Sequence, residues 1–133
     1  MAIQLSTSVR NAILDVIEST VGTSAVLKIR TGAAPADVAA ADSGTVLATL
    51  SLPSDWMSSA SNGTKSKSGT WQDASADASG TAAHFRLYAS DGTTAHMQGT
   101  VGTSGTDMIV DSTSFTAGQS FTINTFTLTA PGA

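Results

Sequence analysis

The sequence predicts a mainly β fold: a single antiparallel β-sandwich of jelly-roll-like type, carrying one N-terminal α-helix. Three observations predict it. After Gly22, turn signals recur about every 8–12 residues, the spacing of an all-β sandwich. Between those turns, apolar and polar residues alternate with period two. Ahead of Gly22 lies a segment whose apolar residues recur at helical spacing. A chain of 133 residues suits one domain. That domain is taken as residues 1–133, with the helix over about 7–21 and the sandwich over about 24–130.

The helix is read from "STSVRNAILDVIESTVG". Val9, Ile13, Val16 and Ile17 fall at i, i+4, i+7 and i+8 and make one apolar stripe. Ser6, Thr7 or Ser8 caps the start, and Gly22 ends it. Arg10, Asn11, Asp15 and Glu18 take the other side, and Leu14 lies off the stripe, placed to meet a second surface. A stripe of this kind packs on the protein's own sheet or docks on a partner, and the first is commoner.

In "SAVLKIRTG", Ala25, Leu27 and Ile29 share one strand face, opposite Val26, Lys28 and Arg30. "GAAPADVAAADSG" is a connection broken by Pro35 and Gly44. "TVLATLSLP" is apolar on both faces, which predicts a central strand ended by Pro53. Trp56 and Trp71 bracket a polar Ser/Gly/Lys segment in which "KSKSGTW" suits an edge strand, and "DASADASG" reads as an exposed loop. "AAHFRLYASDGTTAHMQGTV" is a hairpin. A Ser90-Asp91-Gly92 loop sorts its faces, pairing Phe85 with Met97, Arg86 with His96, Leu87 with Ala95 and Ala89 with Thr93. "TDMIVDSTSF" gives a short strand. "SFTINTFTLTAP" gives the last, whose apolar parity changes near Asn124-Thr125 through a bulge or through burial of both faces.

Six basic and ten acidic side chains give a net charge of −4 and a charged fraction of 12%, about half the usual ~25%. On the about 6,500 Å² expected of a folded chain this size, that is roughly one charge per 400 Å². Lys65 and Lys67 sit close together, but the six basic residues form no larger cluster, so nucleic acid is not an expected partner. No apolar run approaches the ~20 residues of a membrane span, and none is expected to meet a membrane. With no cysteine, thiolate metal sites and thiol nucleophiles are excluded. The opening "MAIQLSTSVR" lacks a charged-then-apolar signal pattern, so synthesis without standard export is expected.

Chemistry-bearing residues are sparse. The two histidines, His84 and His96, fall on the polar face of the hairpin near Arg86, whose charge opposes a metal. Ordinary surface or interface histidines are expected. Asp73 with Asp77, and Asp107 with Asp111, lack the alternating Asx spacing of a calcium loop. Serine is abundant, but no Gly-x-Ser-x-Gly elbow anchors a nucleophile. "GTVGTSG" lacks the lysine and helix of a phosphate loop, and "NGT" at Asn62 reads as a turn. The expectation is no catalytic residue, no cofactor and no metal.

Four stretches in order carry a resemblance: "LSTSVRNAILDVIESTVG", "LKIRTGAAPADVAAADSGTVLATLSLPSDWM", "GTAAHFRLYASDGTTAHMQGTV" and "FTAGQSFTINTFTLTAPG". Read end to end, the chain resembles small structural virion proteins of tailed bacteriophages. The resemblance implies a capsid decoration, or cement, protein made in the bacterial cytoplasm and placed on the outer capsid surface of the virion. It implies the major capsid protein as partner and self-association as a dimer or trimer at capsid symmetry axes. Val9, Ile13 and Leu14 of the helix, with Trp56 and Trp71, are the expected partner-binding residues. Two rival roles are a tail, baseplate or fibre-associated module, and a carbohydrate-binding β-sandwich using Trp56, Trp71 and Tyr88.

Overall fold

The computed structural model describes residues 3–133. Helix α1 spans Thr7–Val21. The Ser6 side chain accepts a hydrogen bond from the Val9 N–H, and Gly22 closes the last turn at φ +92°. Eleven strands follow. The first five are β1 (Val26–Arg30), β2 (Val46–Ser51), β3 (Thr64–Ser66), β4 (Trp71–Asp73) and β5 (Gly80–Thr81). Then come β6 (His84–Tyr88), β7 (Ala95–Gly102), β8 (Met108–Ile109), β9 (Ser114–Phe115), β10 (Phe121–Ile123) and β11 (Thr127–Thr129).

The mainly β fold with one N-terminal helix is the one expected. Its strands form a five-stranded sheet in the order β2-β1-β6-β7-β8 and three two-stranded ribbons, β10-β4, β11-β3 and β5-β9. Pairing is antiparallel except at β7-β8, where Val101 and Gly102 lie beside Met108 and Ile109 in parallel.

One face of the sheet and the ribbons share a core. Ala25, Leu27 and Ile29 of the β1 region are almost fully buried, as their parity requires, together with Leu50, Phe85 and Leu87. An aromatic chain ties the layers. Trp56 lies 6.1 Å from Trp71, Trp71 lies 5.6 Å from Phe126, and Phe126 meets Phe85 edge-on at 5.7 Å. Such contacts add about 0.5–1.5 kcal/mol each beyond area burial. The solvent-accessible surface is 6570 Å².

Four details differ from expectation. β2 is an edge strand, not a central one. Both its faces are apolar because its edge is covered: Asp77 N–H donates to Leu47 O at 2.7 Å, and the Asp73 carboxylate accepts the Thr49 N–H at 2.9 Å. The "DASADASG" segment is thus an edge guard, with Ala76 buried, and not a free loop. "KSKSGTW" is split between β3 and β4 by a turn at Gly69. The last strand is likewise two, and buried parity passes from Phe121 and Ile123 to Phe126 and Ala130.

The hairpin register moves by two. Leu87 pairs with Met97, Arg86 with Gln98 and Phe85 with Gly99, while Tyr88 pairs with Ala95. The turn is one residue longer than expected. Ala89 N–H donates to Thr94 O, and the Asp91 carboxylate accepts the Thr94 hydroxyl and then the Thr94 and Thr93 N–H groups, which holds it below the ordinary carboxylate range. One extra loop residue would swap the faces, and His96, bulged out of the ladder, swaps them back.

Candidate functional site

Helix α1 docks through its polar side. Its buried residues are Arg10, Leu14 and Val21, whereas Val9 is 45% exposed, Ile13 37% and Val16 59%. The expected stripe therefore faces outward. The cause lies in the surface the helix meets. The chain from Trp56 to Lys65 presents backbone N–H groups and an ammonium, which an apolar stripe would leave unpaired at a cost of about 1–3 kcal/mol each. The polar side chains satisfy them. Asn11 accepts the Gly63 N–H at 2.9 Å, Asp15 the Ala60 N–H at 3.1 Å and Glu18 the Met57 N–H at 3.3 Å. Arg10 Nη2 donates to Ala130 O at 2.9 Å, and Trp56 Nε1 donates to Gly22 O at 2.9 Å.

At the centre of this seam, buried Lys65 sits 2.7 Å from Asp15 Oδ1 and 2.8 Å from Glu18 Oε1. Burial opposes the ammonium, but its hydrogen bonds to both carboxylates outweigh that and raise the Lys65 pKa. The hydrogen bond from Lys65, with the Ala60 N–H, lowers that of Asp15. A cleft of about 560 Å³ opens beside the seam, lined by Asp15, Glu18, Asp55 and Lys65 among others. Two of its three carboxylates are already committed to Lys65.

Arg10, Asp15 and Glu18 are all bonded to the body, and of the three only Asp15 stays largely exposed, at the border of the outer face of α1. That face presents Ser8, Val9, Ala12, Ile13, Val16, Ser19 and Thr20, and beside it a groove of about 190 Å³ runs along Val16, Ile17, Thr20 and Val21 to His96. Of the five expected partner-binding residues, Val9 and Ile13 are on this face. The other three need correction. Leu14 is 2% exposed, Trp56 0% and Trp71 1%. Leu14 is the apolar centre of the docking seam, and the tryptophans are core, so none offers a contact surface.

The second face of the sheet is also covered. The connection between β1 and β2 lies across it as a strap, pinned by Arg86. The guanidinium donates to Gln98 Oε1, to the carbonyls of Asp37, Val38 and Ala40, and to Asp42 Oδ1 at 2.6 Å. Asp42 also receives the Tyr88 hydroxyl at 2.7 Å and the Arg30 guanidinium at 3.1 Å. Burial acts to raise the Asp42 carboxyl, but these hydrogen bonds and charges outweigh it and hold it low. Burial, and then the hydrogen bond to Asp42, push the Tyr88 phenol up. Sequence periodicity marked Arg86 and Tyr88 only as a polar face. The short acidic-and-alanine run ending at Asp42 was the available signal for a cover.

The histidines are separated in role. His84 is fully buried, not a surface residue, and donates from Nδ1 to Gly32 O at 2.7 Å. His96 is exposed at the bulge. The aspartate pairs are structural: Asp73 and Asp77 guard β2, Asp107 accepts from the Thr100 N–H, and Asp111 accepts from Asn124. Among the described residues, no three His, Asp or Glu side chains are grouped as metal ligands. No helix among them is long and apolar enough to cross a membrane. Trp56, Trp71 and Tyr88 are all buried, so the exposed aromatic platform a sugar site would use is not formed by them. No protein-family model matches the chain, and no curated protein or solved structure matches it significantly.

Proposed function

We propose that the protein is a structural component of a tailed-phage virion, a decoration protein that binds the outer capsid lattice and stabilises it by bridging capsomers. The observation that carries this reading is the inverted helix. A 15-residue helix bonds its charged side chains to a β body and leaves the apolar Val9, Ile13 and Val16 facing outward. That arrangement suits recognition between surfaces more than chemistry on a small molecule. The resemblance of the four sequence stretches to phage virion proteins supports the location.

The body suits a mechanical role. Both sheet faces are covered, the β2 edge is guarded, and Arg86 clamps the strap with both terminal nitrogens of its guanidinium. A rigid element bearing a modest contact surface gains strength by repetition, because symmetry multiplies weak contacts across a lattice. The test is copy number per particle, by quantitative mass spectrometry of purified virions against the major capsid protein. Hundreds of copies in a simple ratio support decoration. A dozen or fewer would move the protein to tail or baseplate, and absence from particles would end the virion reading.

A further inference from the structure

We propose that Asn62 is a self-modification site gated by α1. Its side-chain amide is converted through a succinimide to an aspartyl or isoaspartyl residue, a reaction that the docked helix withholds and its release permits. This concerns the isolated chain and stands or falls apart from the virion reading.

The turn that seats α1 holds the reactive pair. Asparagine is among the thermolabile residues, and its amide is lost most readily when the next backbone nitrogen meets no side chain on its way to Cγ. The chain has three asparagines, Asn11, Asn62 and Asn124, and only Asn62 precedes a glycine. That glycine is required by the fold. Gly63 has φ +74°, and a Cβ on it would lie 2.3 Å from the Arg10 guanidinium. Asn62 has φ +53°, so both central residues of the turn are left-handed, the case that Asn-Gly serves best.

The same fold withholds the nucleophile. Asn62 is exposed, so water and base reach its amide, but Gly63 is buried. The Gly63 N–H donates to Asn11 Oδ1 of α1 at 2.9 Å. Ser61 and Thr64 exchange two backbone hydrogen bonds of 2.9 Å across the turn. On the approach to it, the Met57 and Ala60 N–H groups are held by Glu18 and Asp15 of the same helix. While these contacts stand, the Gly63 proton is shielded from base and its nitrogen cannot swing toward Asn62 Cγ. Release of α1 removes the Asn11, Asp15 and Glu18 acceptors together and leaves a hairpin tip closed only by its own two bonds, a structure that opens readily.

The chemistry needs nothing but water. A solvent base removes the Gly63 N–H proton, and the nitrogen attacks Cγ of Asn62. The Cγ–Nδ2 bond breaks, and Nδ2 leaves as ammonia after taking a proton from water. A second water then opens the cyclic imide at one of its two carbonyls. Opening at Cγ leaves a side-chain carboxylate on the original backbone. Opening at the main-chain carbonyl leaves the chain running through Cγ, one methylene longer. The longer turn no longer presents the Gly63 N–H to Asn11, so the product records a release of α1.

The full chain is held folded in mildly alkaline buffer, and in the same buffer with enough urea to unfold it. Peptide mass spectrometry reads the mass difference between asparagine and aspartate at position 62. That readout separates the reaction from imide formation at Asp91-Gly92, where no net mass changes. The expected rate for the folded parent is at least tenfold below that for the unfolded one. Asn11→Ala, which removes only the acceptor, should raise the folded rate at least threefold. Asp15→Ala with Glu18→Ala, which frees the helix, should raise it at least tenfold, with the β signature of circular dichroism kept. Equal rates in the folded and unfolded parent would overturn the proposal. So would protection that survives both variants, since the turn alone would then be the lock. If the double variant does not fold, the parent in graded urea decides. The rate must then climb with loss of the helical signal, and a climb only at global unfolding would overturn the gating.

Discussion

Replacing Arg86 with methionine tests whether the strap is held by one guanidinium. The side chain is 1% exposed, and methionine keeps most of its buried stem. The substitution removes five hydrogen-bonding partners: Gln98, three strap carbonyls and Asp42. At about 0.5–1.5 kcal/mol net per bond, the sum is about 2.5–7 kcal/mol. Removing one partner of a buried ion pair gives an independent bound of about 3–5 kcal/mol. Asp42 is 40% exposed, so its carboxylate and the freed carbonyls rehydrate when the strap lifts, which places the loss near the lower bound. About 3 kcal/mol corresponds to a fall in Tm of roughly 10 °C for a domain this size. Arg86→Lys should recover little, because one ammonium cannot span partners arranged for a planar fork. Thermal melts give the size of the effect, and hydrogen exchange gives its place. Amides of residues 37–42 should lose protection at least tenfold while those of β1 and β6 keep theirs. A Tm within 2 °C of the parent, with the strap still protected, would refute the reasoning.

The Lys65 seam gives a pH dependence of two signs. Asp15 has its pKa lowered from 3.8, so its contribution is present above that value and is lost as pH falls through the folded value. Lys65 has its pKa raised from 10.5, so its contribution is complete below that value and is lost as pH rises through the folded one. Tryptophan fluorescence should report helix release at both extremes and a plateau between, since Trp56 Nε1 is bonded to Gly22 O; a flat acid limb would count against the seam. Gly63→Ala places a Cβ 2.3 Å from the Arg10 guanidinium at φ +74°. It should cost at least about 1 kcal/mol in a urea melt, and more if Arg10 leaves Ala130. Asp73→Ala uncovers the Thr49 N–H on the β2 edge. It should lower stability by only about 0.5–1.5 kcal/mol yet hasten aggregation followed by light scattering.

How much of this was legible depends on which force decided each element. The helix bounds and the Gly22 stop follow from local chemistry and stand where the sequence placed them, and Ser6 is the one of the three candidate caps, Ser6, Thr7 or Ser8, that the helix uses. The β1 parity follows from the pleat. Asn62-Gly63 forms a two-residue turn with Ser61 and Thr64 bonded across it, as its residue types suggest. The orientation of α1 was not legible, because periodicity finds the apolar stripe but cannot say what the opposite side meets. Here that opposite side met unpaired N–H groups and a buried lysine brought from some fifty residues away. The partner residues split on the same ground. Val9 and Ile13 are exposed because polar satisfaction won, and Leu14, Trp56 and Trp71 are buried because large apolar side chains near that seam had a core to enter. The hairpin register failed for a smaller reason: a loop one residue longer and a bulge are invisible together, since their effects on parity cancel.

The stitching of α1 to both the middle and the end of the chain fixes an order of events during synthesis. The helix leaves the ribosome early, but Lys65 follows Asp15 by 50 residues and Ala130 follows Arg10 by 120. At about 5–20 residues per second, the last of these anchors arrives roughly 6–24 s after the first turn of the helix. Throughout that interval α1 is a 15-residue segment of marginal intrinsic helicity, its inner side unpaired and its outer side apolar. Docking is therefore a closing event. The outward face comes to stand on a fixed platform only once the whole β body exists, and a nascent or truncated chain does not display it in assembled form.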